Sequence, residues 1–298
     1  MTLIERISKI CGMIPTNVSK ILDNLDNIED KKRAIHHIIW HLPDGLVKDK
    51  ERDELIKELN ILAETPEERE EIMNTIIDKI NEGGDIVLER DLDINEPKFT
   101  SQYGQCFQLR TESNVDLNNK TITCPGEINP NLTGGPDCFW VFKSSSLSNG
   151  SIDCKRMAIV SIAPQITIEN MDIKGGYCCD VAGGIMEIKS GNFEALVEGG
   201  SCLQVEGGKC IIYDGTFKSI PDEKKGIYYT LNLKDILVKG QDPEVVKPTD
   251  FIEVRGGRFY KFDPSNTLTE PDPYKPCSFV PDGYKVIQNG DWFEVVSE

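Results

Sequence analysis

The chain has 298 residues, a formal charge of −17 and ten cysteines. That length can bury one large core or two ordinary ones, and the acidity argues against a nucleic-acid footprint, which needs clustered Lys and Arg. No stretch approaches the roughly 18 consecutive apolar residues of a membrane span, and Glu5 and Arg6 interrupt the apolar run that a signal peptide would need.

Residues 1–83 follow a helical period. Ile35, Ile38, Ile39 and Leu42 recur at helix spacing, as do Leu55, Leu59 and Leu62, then Ile72, Ile76, Ile77 and Ile80. Thr65-Pro66-Glu67-Glu68 predicts a helix start with a capping box, and Gly83-Gly84 predicts its end. The expectation is four or five short helices in a small bundle. Its apolar faces, carried by Ile35, Ile38, Ile39, Leu42, Leu55, Leu59 and Leu62, are the candidate attachment or oligomer interface.

All three histidines, His36, His37 and His41, fall in this half. His37 and His41 share a helix face at the spacing of two zinc ligands, but Ile38, Ile39 and Trp40 stand between them without a catalytic Glu. Two ligands do not make a metal shell, so a helix margin is the simpler account.

From Asp85 the period falls to two. "VDLNNKTI" at 115–122, "LSNGSI" at 147–152, "ITIENMDI" at 166–173, "MEIKSGNF" at 186–193, "LQVEGGKC" at 203–210, "IIYDGTF" at 211–217 and "IEVRGGRF" at 252–259 share one form. Each is a short alternating run, a Gly or Asn corner, and a second apolar run. Several spacings fall near about 17 to 20 residues, close to the range of solenoid repeats. Gly and Asn suit a corner where the backbone visits positive φ. The pattern predicts a mainly β fold, a parallel β-helix over 84–277, with an antiparallel β-sandwich as the alternative. The cysteines, with no C-x-x-C among them, read as buried free thiols.

Chemistry is sparse. Asp153, Asp172, Asp180, Glu187, Glu194, Glu206 and Asp214 alternate with apolar residues and read as a solvated outer face. A glycosidase would need two of them facing each other at about 5–9.5 Å, and no histidine is present there for acid–base work. Residues 220–250 break the rhythm. Tyr228, Tyr229 and Leu231 within them read as core, with an exposed contact patch as the other option. Residues 278–298 read as a cap, with Phe279, Tyr284, Val286, Trp292, Phe293 and Val295 covering the end and Asn289-Gly290 turning a hairpin. The alternative reading of those aromatics is a ligand platform.

"NTIIDKINEGGDIVLERDLDI" (74–94), "VDLNNKTIT" (115–123), "YYTLNLKD" (228–235), "IEVRGGRFYKFDPSN" (252–266) and "SFVPDGYKVIQNGDWFEVV" (278–296) resemble right-handed parallel β-helix virion proteins of tailed phages, of head-fibre, spike or decoration type, as in phages of gut Bacteroidales. The likeness covers about 75–298, and residues 1–73 carry none of it. Asn119 stands where the family's corner has glycine, and 220–250 departs from its coil rhythm. The resemblance implies a right-handed β-helix behind a small N-terminal α-helical domain, working as a capsid-attached fibre or decoration. It implies a homo-oligomer in the virion, made in the host cytoplasm, with capsid or other virion proteins as partners and host-surface glycan as a further candidate. Nucleic acid, membrane, cofactor and catalytic residues are not expected. A receptor-binding or polysaccharide-degrading tail spike and a bacterial surface adhesin are the alternatives.

Overall fold

The computed structural model describes residues 64–94, 105–124, 137–222, 229–234, 247–270 and 276–298, together with Ile35, Ile38, Ile56, Lys57, Leu59, Asn60 and Ile61. The chain divides into two compact units, Met1–Thr75 and Ile76–Glu298. The helix α1 spans Pro66–Glu82. Its start is a complete capping box: the Glu68 amide donates to Thr65 Oγ1 at 3.0 Å, and the Thr65 amide donates to Glu68 Oε2 at 2.8 Å. Gly83 ends it at φ +84°, where a Cβ would lie 1.8 Å from Thr111 Oγ1. That hydroxyl instead donates to the Glu82 carbonyl at 2.7 Å, filling one of the orphan acceptors at the helix end. The other expected helices of residues 1–63 lie largely outside the described residues.

From Gly84 onward the described chain is one large sheet, and nearly all its strands run parallel. Three ladders organise it. The first joins β1 (Gly84–Val87), the opening parts of β4 (Ser113–Cys124), β6 (Ser145–Ser161) and β7 (Gln165–Val181), then β8 (Gly184–Ile188), β11 (Gly208–Ile212) and β14 (Ile252–Val254). Its inward column is Ile86, Val115, Leu147, Ile168, Ile188, Ile212 and Val254, each partnered to the next. The second joins β2 (Leu92–Asp93), later parts of β4, β6 and β7, then β9 (Gly191–Glu198), β12 (Thr216–Ile220) and β15 (Gly257–Tyr260). Its column is Leu92, Ile122, Ile152, Ile173, Phe193, Phe217 and Phe259. The third joins β3 (Gln105–Leu109), β5 (Asp137–Val141), the ends of β6 and β7, β10 (Leu203–Val205) and β13 (Leu231–Leu233), through Phe107, Phe139, Ile159, Cys179, Leu203 and Leu231. Every residue of these columns is buried.

Like side chains stack because parallel strands in register place equivalent residues about 4.8 Å apart. The rings of Phe193, Phe217 and Phe259 lie 4.9 Å apart at interplanar angles of 5° and 10°. Offset ring pairs of this kind add about 0.5–1.5 kcal/mol each beyond simple burial.

The corner between the first and second ladders uses two chemistries. Asn118, Asn119, Asn149 and Asn170 hold φ between 50° and 60°, and the side-chain amide of Asn170 donates to Asn149 Oδ1 at 3.1 Å. Asn149 passes the contact on to Asp116 Oδ1 at 3.2 Å. In later strands the positive φ moves one position along to glycine: Gly191, in register with Met171, sits at φ +145°, where a Cβ would meet the Met171 carbonyl at 2.3 Å. The segment 203–210 turns at a different corner, between the third and first ladders. The second kind of corner accounts for the short step between the units that begin at Leu203 and Ile211.

Antiparallel pairing among the described residues is confined to the C-terminal hairpin, its contact with β15 and the Thr267–Cys277 bridge, which excludes the antiparallel sandwich. There β16 (Tyr284–Asn289) and β17 (Trp292–Ser297) form the hairpin, turned at Gly290 with φ +62°, and β17 pairs with β15. Phe279 and Val295 are buried against the end of the stack. Leu231 is core, Tyr229 is half-buried, and Tyr228 lies outside the described residues.

The nine described cysteines are free thiols, and all but Cys277 are buried. Several donate to backbone carbonyls. The Cys154 thiol donates to the Met157 carbonyl at 3.4 Å, and Cys202 is shared between the Phe193 and Lys218 carbonyls at 3.2 and 3.1 Å.

Candidate binding groove

Of the seven residues named for an interface, Ile35, Ile38 and Leu59 are buried, at 1 %, 2 % and 0 % exposure. Ile39, Leu42, Leu55 and Leu62 lie outside the described residues, as do His36, His37 and His41. Among the described residues no group of three His, Cys, Asp or Glu side chains is arranged to hold a metal ion.

The seven outward acids divide. Asp153, Asp172 and Asp214 are exposed, and Glu187, Glu194 and Glu206 are half-buried. Asp180 overturns its expected place on a solvated face: it is only 7 % exposed. It does point outward from the third ladder, in a row with Trp140, Val160, Gln204 and Asn232. That row is dry: Val160, Gln204 and Asn232 are buried as well. Burial, and then the charge of Glu206, push the Asp180 carboxyl up to about 7, against a hydrogen bond from Gln204. Gln204 Nε2 also donates to Glu206 Oε1 at 2.8 Å, while Asp180 Oδ1 and Asn232 Oδ1 have no partner. Asp137, at the edge of the same face, is raised by burial too, against the 2.9 Å hydrogen bond from Trp140 Nε1 and the guanidinium of Arg156 at 3.2 Å.

Asp153, Asp172 and Glu194 come together on the outer face of the second ladder. They line a groove of ≈ 510 Å³. One row of its floor is Thr121, Ser151, Asp172, Asn192 and Thr216, one residue per strand. Beside it run Asp153, Lys174, Glu194 and Lys218. The alternation that turns Ile152, Ile173, Phe193 and Phe217 inward turns both rows outward. Asn192 Nδ2 donates to Asp172 Oδ1 at 2.5 Å. Lys218 Nζ donates to Glu194 Oε1 at 2.8 Å, and Lys174 Nζ lies 3.7 Å from Oε2. The Lys218 hydrogen bond and charge, with Lys174 behind them, hold the Glu194 carboxyl below its ordinary value despite partial burial. It is therefore a hydrogen-bond acceptor rather than a proton donor.

Trp292, on β17, closes the groove. It stands opposite Tyr260 in the ladder, with ring centroids 5.2 Å apart, and the Arg258 guanidinium lies 5.0 Å from its ring. Lys174, Asn192, Thr216 and Lys218 were not named as candidates; their signal was an outward place directly beside a residue of the buried column. A second depression of ≈ 490 Å³ on the first ladder, around Asp85, Asn114, Ser146 and Gln165, has no aromatic side chain in its lining.

No family model matches this chain, and no curated protein or solved structure matches it either.

Proposed function

We propose that residues 84–277 form a right-handed parallel β-helix that works as a stiff structural element of a tailed-phage virion, a capsid-attached fibre or decoration held by its N-terminal helices. The observation that carries this reading is the set of three buried columns running in register through successive strands. Such a stack gains its stability strand by strand from neighbours and extends as a rod. Its last strand is covered by the β16–β17 hairpin, as an apolar end requires. Attachment would then fall to residues 1–83, with Ile39, Leu42, Leu55 and Leu62 as the candidate contact residues, since Ile35, Ile38 and Leu59 are buried within the chain. Proteomics and immunogold microscopy of purified particles from cells producing this chain test the reading. We expect the protein in the particle at a fixed ratio to the capsid protein, on its surface. Its absence from washed particles would overturn the assignment. A receptor-binding spike is the second reading, favoured by the groove that ends at Trp292.

A further inference from the structure

We infer that Cys106 and Cys124 form a buried oxidation site, at which a small peroxide converts the two thiols into a disulfide that staples β3 to β4. The inference rests on the positions of the thiols alone, so it stands or falls separately from placement in a virion.

The first observation is a cluster. Cys124 ends β4 and is the register partner of Cys154 on β6. Cys106 and Cys138 hold the second positions of β3 and β5, between the partnered pairs Gln105–Asp137 and Phe107–Phe139. Cys106, Cys138 and Cys154 all hydrogen-bond with the Cys124 thiol. Four thiols thus meet between the end of the second ladder and the start of the third, in a core whose columns are otherwise mostly Ile, Leu, Val and Phe. Packing alone does not call for this. A thiol packs as an ordinary small apolar group, and reactivity is what sets cysteine apart.

The second observation singles out one pair. Three other thiols are engaged by backbone carbonyls: Cys154 by Met157, Cys178 by Ile173, and Cys202 by Phe193 and Lys218. Cys124 and Cys106 instead meet sulfur to sulfur, with the Cys124 thiol donating to Cys106 Sγ at 3.5 Å. That hydrogen bond, ahead of those with Cys138 and Cys154, raises the Cys124 thiol, so Cys124 keeps its proton and Cys106 presents the acceptor sulfur. Cys106 also has the only exposure of the four, 4 % against 0 %. An oxidant near the size of water is what such a site admits. Burial pushes the Cys138 thiol up and keeps it protonated. Cys154 stands directly opposite Cys124 in a parallel pair. Side chains so placed are about 4.8 Å apart at Cβ, beyond the roughly 3.5–4.5 Å of a disulfide.

The chemistry takes two steps. The Cys106 sulfur attacks one oxygen of hydrogen peroxide. An S–O bond forms, the O–O bond breaks, and the departing hydroxide leaves as water with the Cys106 proton. The Cys124 sulfur then attacks the sulfur of the Cys106 sulfenic acid. The S–S bond forms, the S–O bond breaks, and a second water leaves with the Cys124 proton. Two thiols are oxidised and one peroxide is reduced. The bond spans 18 residues. It ties the first strand of the third ladder, whose Gln108 amide already donates to Asn81 Oδ1 of α1 at 2.7 Å, to the strand that follows it. The ends of a stack have neighbours on one side only and open first, so a staple there protects the rest.

The test treats the full chain with hydrogen peroxide, alkylates the remaining thiols, and reads intact mass and linked peptides with fragmentation. We expect the loss of two hydrogens and one linked pair, Cys106 with Cys124. The melting midpoint should rise by about 5–10 °C, the scale of a disulfide across a loop of this length, and return on reduction with dithiothreitol. Cys106→Ala and Cys124→Ala should each prevent both the bond and the rise. Cys138→Ala and Cys277→Ala should leave both in place. If a core variant fails to fold, the linked peptides of the unaltered chain decide the matter. Cys106 and Cys124 that both remain alkylatable after peroxide, a bond between any other pair, or a Cys106–Cys124 bond with no rise in the midpoint would each overturn the inference.

Discussion

Two outward faces of the same stack have opposite character. On the second ladder the outward row is wet: Asp172 and Asn192 are exposed, and Glu194 is matched by Lys174 and Lys218. On the third ladder the outward row is dry, with Asp180, Gln204 and Asn232 each at 7 % exposure. Both rows come from the same period-two alternation. The alternation decides which side of a strand a residue occupies. Whether that side meets water depends on what else the chain lays across it, and no local pattern encodes that.

Both faces hang on equivalent buried columns, so the largest effect lies beneath them. Phe217→Ala removes the middle ring of the Phe193–Phe217–Phe259 stack. We expect a loss of about 3–5 kcal/mol in urea unfolding, the usual range for a buried Phe→Ala. Thr216→Ala, the adjacent outward residue, should stay within about 0.5 kcal/mol. Equal costs for the two would mean that the ladder does not separate inside from outside at this point.

The comparison sharpens with pH. Asp180 in the folded chain titrates at about 7, above the 3.8 of a free carboxyl. A raised carboxyl favours the folded state when protonated. Its contribution is therefore complete below the unfolded value and is lost as pH rises through the folded one. Between pH 5 and pH 8 the chain should lose about 2–3 kcal/mol of stability from this group. Asp180→Asn should flatten that slope, and Asp172→Asn should leave it unchanged. A slope that persists in Asp180→Asn would assign it to another group, with Asp137 the next to test.

The smallest effect belongs to the wet face. Lys218→Ala breaks the 2.8 Å pair with Glu194 where Lys218 is nearly half-exposed. The expected cost is below about 1 kcal/mol and should shrink further as salt is added. A large, salt-independent loss would place this pair in a drier setting than the groove provides.

Local chemistry explains how much of this was legible beforehand. The capping box at Thr65 and Glu68, the stop at Gly83, the corners at Asn119, Asn149 and Asn170, and the hairpin at Asn289-Gly290 all depend on residues close in sequence, and each stands where its residue types require. The parallel ladders were legible only as repetition, because their partners are far apart. Asp172 and Asn192 meet across 20 residues, whereas Lys209 and Glu253 meet across 44. For the same reason one consensus merged two kinds of corner. The groove's floor residues Thr121, Ser151, Asp172, Asn192 and Thr216 each stand directly before the closing apolar residue of a repeat unit, but polar residues of such different kinds carry no common chemical signature. Asp180 was misplaced because its burial is a property of the third dimension. The interface named on Ile39, Leu42, Leu55 and Leu62 falls outside the described residues.

The unequal separations along the ladders have a consequence for how such a chain changes length. Asn149 meets Asn170 across 21 residues, Asn114 meets Ser146 across 32, and Lys209 meets Glu253 across 44, yet all three pairs sit in the same regular stack. The number of residues between paired strands changes, and the register of the described strands does not move with it. A single residue inserted within a strand would instead turn every later side chain of that strand to the opposite face. The molecule thus has two alphabets of tolerance. The separation between paired strands differs by a dozen residues or more, while a rung is intolerant of even one, so variation in length among relatives of this chain should fall between the strands and leave the rungs countable.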